Sequence, residues 1–288
     1  MNAAPAGPTA ELGRFLEIQN LGLNLPFALA FLLLAARGVP SLVTTGLLVL
    51  AFVAARNAGH SFNRFADREQ DARNPRTRGR ALVTGRLSPA FALVFTAVSA
   101  AVMVLAAALL NPLALALAPV ALVLILGYSY TKRFTWLTTV FLGLVESITP
   151  AAAYVGVTGT LAPTVLLAVG AILLWGTAFE TIHSLGDLPA DLALGLRSLP
   201  ARFGVRRSVA LVPVLHAGAL ALLAAFGAAE RLGLAYFVAL AAMGALAART
   251  DRVLALRPEE AARPFRAHFA LGALFLAGIL IALFVPFP

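Results

Sequence analysis

The sequence predicts an all-α membrane protein, a bundle of about nine transmembrane helices. Hydrophobic residues make up 60% of the chain and its mean hydropathy is +0.89. Charged residues amount to 12%, about half of what a soluble globular domain carries. Apolar stretches recur along the whole length, and the lysines and arginines fall mainly in every second connection between them.

A membrane helix needs roughly 20 predominantly apolar residues. Stretches of this kind run over 24–37, 40–60, 88–109, 112–130, 136–156, 163–185, 207–228, 231–248 and 267–286. The first is short. The breaks at Asn111-Pro112 and at Arg231 rest on a dip in hydropathy, so eight or ten spans remain open. The spans form one transmembrane domain over residues 1–288, with 1–15 as a flexible N-terminal tail. That N-terminal segment lacks the basic start and compact apolar run of a cleaved signal peptide, so the first span is expected to stay in the mature protein. The chain has no cysteine, which excludes disulfides, thiolate nucleophiles and cysteine metal sites.

Of the 22 Lys and Arg residues, seven (Arg64, Arg68, Arg73, Arg76, Arg78, Arg80, Arg86) follow the second span and two (Lys132, Arg133) the fourth. Four (Arg197, Arg202, Arg206, Arg207) follow the sixth and five (Arg249, Arg252, Arg257, Arg263, Arg266) the eighth. Only Arg37 and Arg231 lie in the other connections. The positive-inside rule therefore places the N-terminus and the four basic connections in the cytoplasm.

Three of those connections carry more than charge. Asn63, Asp67 and Asp71 are spaced four apart where the second span ends; residues four apart on a helix advance about 40° beyond a full turn, so the three share one stripe. Mg²⁺ keeps several waters and takes a few oxygen ligands while bridging substrate phosphates, which suits such a sparse stripe. Asn74-Pro-Arg-Thr-Arg-Gly-Arg80 then reads as a turn whose arginines fold back over a bound anion. Asp187 and Asp191 repeat the spacing after the sixth span, although Pro189 between them argues against a continuous helix. Tyr128-Ser-Tyr-Thr-Lys132-Arg133 supplies a phenol and two cations on the same face. Spacing alone leaves alternatives open: solvated helix ends with i,i+4 ion pairs, and an interfacial aromatic-basic anchor. The conjunction of two Asp-x-x-x-Asp runs on one face favours a shared metal and diphosphate site. Glu146, Glu180 and His183 add ionisable groups inside apolar spans, where they are costly and mark function by default; either glutamate could face a cavity, pair with Arg56 or take a proton from a phenol.

In NRFADREQDARNPRTRGRALVTGR from Asn63, YSYTKRF from Tyr128 and DLPADLALGLRSLPARFG from Asp187, the chain resembles the UbiA family of integral-membrane prenyltransferases. The resemblance implies a central cavity facing the cytoplasm with a lateral opening to lipid. It implies that Asn63, Asp67, Asp71, Asp187 and Asp191 hold Mg²⁺ on the diphosphate of an allylic polyprenyl diphosphate, Asp67, Asp71, Asp187, Asp191 and Lys132 being the catalytic set. Lys132 and Arg133, with Arg68 and Arg202, would clamp phosphate, and Tyr128 would orient the diphosphate or the cation. SLPARFG resembles the branch whose acceptors are 4-hydroxybenzoate and hydroxylated naphthoates, which implies ubiquinone or menaquinone synthesis in a bacterial cytoplasmic membrane. Leu188, Pro189 and Ala190 stand where many relatives carry a further acid. Haem, chlorophyll-precursor and glycerol phosphate acceptors are the alternatives within the family, and a transporter is the alternative outside it.

Overall fold

The computed structural model describes residues 8–17, 21–260 and 262–285. Among them the regular structure is helical: α1 (Pro8–Phe15), α2 (Leu21–Ala36), α3 (Leu42–Ala66), α4 (Arg68–Arg73), α5 (Pro89–Leu110), α6 (Pro112–Thr131), α7 (Thr138–Glu146), α8 (Ile148–Thr158), α9 (Val165–Ala193), α10 (Leu199–Phe203), α11 (Val205–Ala229), α12 (Leu234–Leu256) and α13 (Ala262–Phe284). Seven helical segments are long and apolar enough to cross a membrane, α7 and α8 counting together as one, and two shorter apolar helices cover Asn24–Ala36 and Phe269–Phe284.

Local chemistry sets several ends. Ser41, Ser88 and Asn111 cap α3, α5 and α6 with side-chain oxygens that accept N–H groups of the first turn, and Pro89 and Pro112 stand at the first helical position, where a missing N–H costs nothing. The fifth span breaks at Ser147. Pro150 is the physical reason: it has no N–H to give to the Glu146 carbonyl four residues earlier, and its ring crowds that oxygen.

Two expectations change. From Pro8 the N-terminal segment is not a tail: it forms α1, and Phe15 and Leu16 pack with Leu82 and Ala92. Residues 1–7 lie outside the described residues. In the second aspartate run, α9 continues through Pro189 to Ala193. Pro189 forgoes one hydrogen bond, to the carbonyl four residues earlier, and the helix runs on past it.

α9 is the central staff, packed on α7, α8, α10, α11 and α13. Its contact with α7 is close because both sides are glycine: a Cβ on Gly143 would meet the Leu173 carbonyl and Thr177, and one on Gly176 would meet the Glu146 carboxylate. Small residues of this kind let membrane helices approach. α2 packs on α8 and α13, whereas α3 packs on α5 and α6.

Candidate active site

A cavity of about 650 Å³ lies among α2, α3, α6, α7, α8 and α9. Leu25, Leu29, Leu48, Phe52, Leu142 and Ala152 line its apolar part; Asn63, Arg64, Arg76, Arg80, His183 and Asp187 line its polar part. Volume and mixed lining are those of a small-molecule site.

The two aspartate runs meet at the polar part. α3 stops at Ala66, and Asp67 is both its C-cap and the N-cap of α4. Asp67 is 3% exposed. Its Oδ2 accepts from Asn63 Nδ2 at 3.1 Å and lies 2.8 Å from Lys132 Nζ; Arg133 stands 3.9 Å from Oδ1. Burial pushes the Asp67 carboxyl above the usual carboxylate range, Lys132 and Arg133 pull it down, and Asp71 pushes it up. Asp71, also buried, takes Arg80 Nη1 on both carboxyl oxygens at 2.6 and 2.7 Å.

Arg76, from the turn after the first run, reaches across to the second. Its Nε and Nη2 donate to Asp187 Oδ1 and Oδ2 at 2.8 and 2.7 Å, the bidentate geometry in which Arg grips a carboxylate. Arg197, just after the second run, ties it to the connection that follows the fourth span: its backbone N–H donates to Lys132 O at 2.8 Å and its Nη1 to Phe134 O at 2.7 Å.

The expected site residues therefore divide. Asn63, Asp67, Asp71, Asp187, Lys132 and Arg133 are gathered, and Tyr128 lines the cavity with its hydroxyl donating to Glu180 Oε1 at 3.3 Å. Asp191 is half-buried one turn beyond Asp187, and like Asp67, Asp71, Lys132 and Arg133 it stands behind the cavity lining, within the electrostatic reach of Lys132 and Asp187. Arg68 does not join: it lies over the Phe65 ring and pairs with Glu69. Arg202 sits exposed at the end of α10. Neither lines the cavity. Arg56 does not pair with Glu146 or Glu180; its two Nη atoms donate to the Leu16 and Glu17 carbonyls at 2.7 and 2.9 Å, closing the end of α1. Arg64 is buried in an ion pair with Glu17.

Sequence reasoning gave Arg76 and Arg80 only a general role in the turn, and missed Glu17, the partner of Arg64, and Asn24, which lines the cavity from α2. Glu17 had one available signal, an acid just before the first apolar span.

The donor set fits Mg²⁺ rather than a softer metal, because Asn and Asp offer hard oxygens and Asp67 Oδ1 is buried without a hydrogen-bond partner. Among the described residues no three acids or histidines already surround one point; each carboxylate of the gathered set is instead held by a lysine or arginine.

The model of the UbiA prenyltransferase family matches residues 24–279. Over 251 residues the chain is 34% identical to a 4-hydroxybenzoate octaprenyltransferase of Alkalilimnicola ehrlichii, covering 87% of this chain and 85% of that protein. The apo structure of a UbiA homolog from Aeropyrum pernix K1 is similar at a TM-score of 0.83 and 32% identity, covering 92% of this chain and 98% of that one. A UbiA homolog from Archaeoglobus fulgidus bound to DMAPP and Mg²⁺ has the same fold at a TM-score of 0.74 and 20% identity, over 95% of this chain and 99% of that one. Span composition and relatives agree on an integral membrane protein, and with the match extending over most of its length, the chain belongs to the UbiA prenyltransferase family.

Proposed function

We propose that this protein transfers a polyprenyl group from an allylic polyprenyl diphosphate to 4-hydroxybenzoate and releases diphosphate, at a site facing the cytoplasm of a bacterial cell. The observation that carries this reading is the junction of the two aspartate runs through Arg76 and Asp187 at the polar part of a cavity whose remainder is apolar. The relative from Alkalilimnicola ehrlichii is a 4-hydroxybenzoate octaprenyltransferase, which supports the acceptor; the basic connections support the orientation.

Asn63, Asp67, Asp71 and Asp187, with Asp191 one turn further along α9, would hold Mg²⁺. When bound, it supplies positive charge to the leaving diphosphate. Arg76, Arg80, Lys132 and Arg133 now neutralise the carboxylates. They are the cations at hand for the phosphate oxygens, as the leaving group gains charge. The apolar lining of α2, α3, α7 and α8 receives the first part of the prenyl chain and keeps water from the allylic cation. Arg56 and Arg64 line the same cavity, and Arg56, whose guanidinium donates to the Leu16 and Glu17 carbonyls, offers positive charge to an acceptor carboxylate.

The test is incubation of the purified protein with a polyprenyl diphosphate, Mg²⁺ and a panel of 4-hydroxybenzoate, hydroxylated naphthoates and haem. Diphosphate release with ring prenylation of 4-hydroxybenzoate is the expected result. Chelation of Mg²⁺ should abolish turnover and its return restore it. Prenylation of a naphthoate or haem alone would overturn the acceptor.

A further inference from the structure

Ring prenylation releases a proton, and at the diphosphate site the protein's own carboxylates are held by lysine and arginine, which leaves only the departing diphosphate there to take it. The cationic ring formed when an aromatic carbon joins the prenyl C1 must lose the hydrogen on that carbon before aromaticity returns. A group positioned to take it must face the cavity beyond the diphosphate, on the side where the acceptor lies.

We infer that Glu180 is that base and that His183 passes the proton on to water, an inference that rests on the prenyl-transfer reading above. Gly176, Glu180, His183 and Asp187 follow at intervals of four, three and four along α9, so they form one stripe. Three of them, Glu180, His183 and Asp187, line the cavity. Glu180 stands about 10 Å from Asp187 along the helix axis, at 1.5 Å per residue. That distance leaves room for the diphosphate beside Asp187 and sets the Glu180 carboxylate one to two turns deeper in the cavity, where an acceptor beyond the diphosphate would reach it.

The carboxylate is held in place from two sides. The Tyr128 hydroxyl of α6 donates to Oε1 at 3.3 Å, and His183 Nδ1 lies 3.2 Å from Oε2. The side chain of Glu180 is 12% exposed while that of His183 is 41% exposed, so the pair runs from the interior of the cavity toward its wet part. A second carboxylate, Glu146, which stands where α7 gives way to α8, faces the same cavity against Gly176, as does the His60 imidazole of α3.

The step balances without any further reactant. The C1–O bond breaks with its electron pair going to diphosphate. A ring carbon next to the phenol forms the new C–C bond. The C–H pair of that carbon returns to the ring as its proton moves to a Glu180 oxygen, and His183 then delivers the proton to solvent. Diphosphate is the competing base.

The experiment compares 4-hydroxybenzoate with its 3,5-dideuterated form in wild type, Glu180→Gln, Glu180→Asp and Glu146→Gln. Folding is checked by circular dichroism and by calorimetric titration of the prenyl diphosphate. Loss of a general base slows proton transfer by ~10²–10⁴-fold. Glu180→Gln should lose kcat on that scale, retain prenyl diphosphate binding and show a primary isotope effect that wild type and Glu146→Gln lack. Glu180→Asp should recover part of kcat and reduce the isotope effect. Equal rates for the two acceptors in Glu180→Gln would overturn the assignment and leave diphosphate as the base, even if kcat falls. A wild type that prenylates no phenolic acid overturns the acceptor reading, and this inference falls with it.

Discussion

Replacing Lys132 with Met tests the ion pair at the centre of the site. Lys132 Nζ lies 2.8 Å from an Asp67 carboxyl that is almost fully buried. Without it Asp67 keeps the Asn63 amide at 3.1 Å and an arginine at 3.9 Å. A charge-assisted hydrogen bond contributes about 1.5–3 kcal/mol. The larger cost of breaking a fully buried pair does not apply, because the lysine side chain is 28% exposed. At 1.4 kcal/mol per factor of ten, kcat/KM for the prenyl diphosphate should fall about 10- to 150-fold.

The pH dependence separates this from general damage. Burial raises the Asp67 carboxyl and Lys132 opposes that rise, so the variant should carry a carboxyl raised further, and the acid limb of its activity should move to higher pH. Stability follows the same sign. Below the ordinary carboxylate value Asp67 is neutral folded and unfolded, and wild type and variant should lose little relative to each other through this group. As pH rises through the folded value, ionisation of the buried acid costs stability, and more so without Lys132. The gap in Tm between the two proteins should therefore widen from acid to neutral pH. An unmoved acid limb together with a pH-independent gap would refute the reasoning.

Arg76→Ala should weaken prenyl diphosphate binding measured by calorimetry, yet shift Tm little in the ligand-free protein, since a pair exposed 49% and 20% contributes only about 0–1 kcal/mol. Arg80→Ala should cost far more activity than Arg68→Ala, because Arg80 bonds both oxygens of buried Asp71 whereas Arg68 faces outward over Phe65; equal losses in kcat/KM would contradict the placement of Arg68. Gly176→Ala should lower Tm in detergent by overpacking, at about 1–3 kcal/mol, since its Cβ would meet the Glu146 carboxylate and stand 2.9 Å from Gly143 Cα.

The first aspartate run was readable because a helix fixes what residues four apart can do: Asn63 and Asp67 are bonded as the spacing requires. The turn after it was readable as a turn, but not the destination of its arginines. Arg76 finds a partner 111 positions away, and no local rule contains that distance. Arg68 shows the opposite error, since a basic residue beside a motif looks like a clamp until the helix face it occupies is known. Pro189 misled because a proline removes one hydrogen bond without ending a helix whose neighbouring bonds hold.

The sequence by itself determined that this chain lives in a membrane, which connections share a face, and which oxygen-bearing side chains stand at the ends of the spans on that face. Hydropathy, charge alternation and helical period are properties of neighbours along the chain. Only the tertiary structure decided which cation holds which carboxylate, that Glu146, beside the Gly143–Gly176 contact and the break at Ser147, faces the cavity, and that Glu180 stands between Tyr128 and His183. Those are relations between helices, and packing of one helix against another sets them, not the order of residues within either.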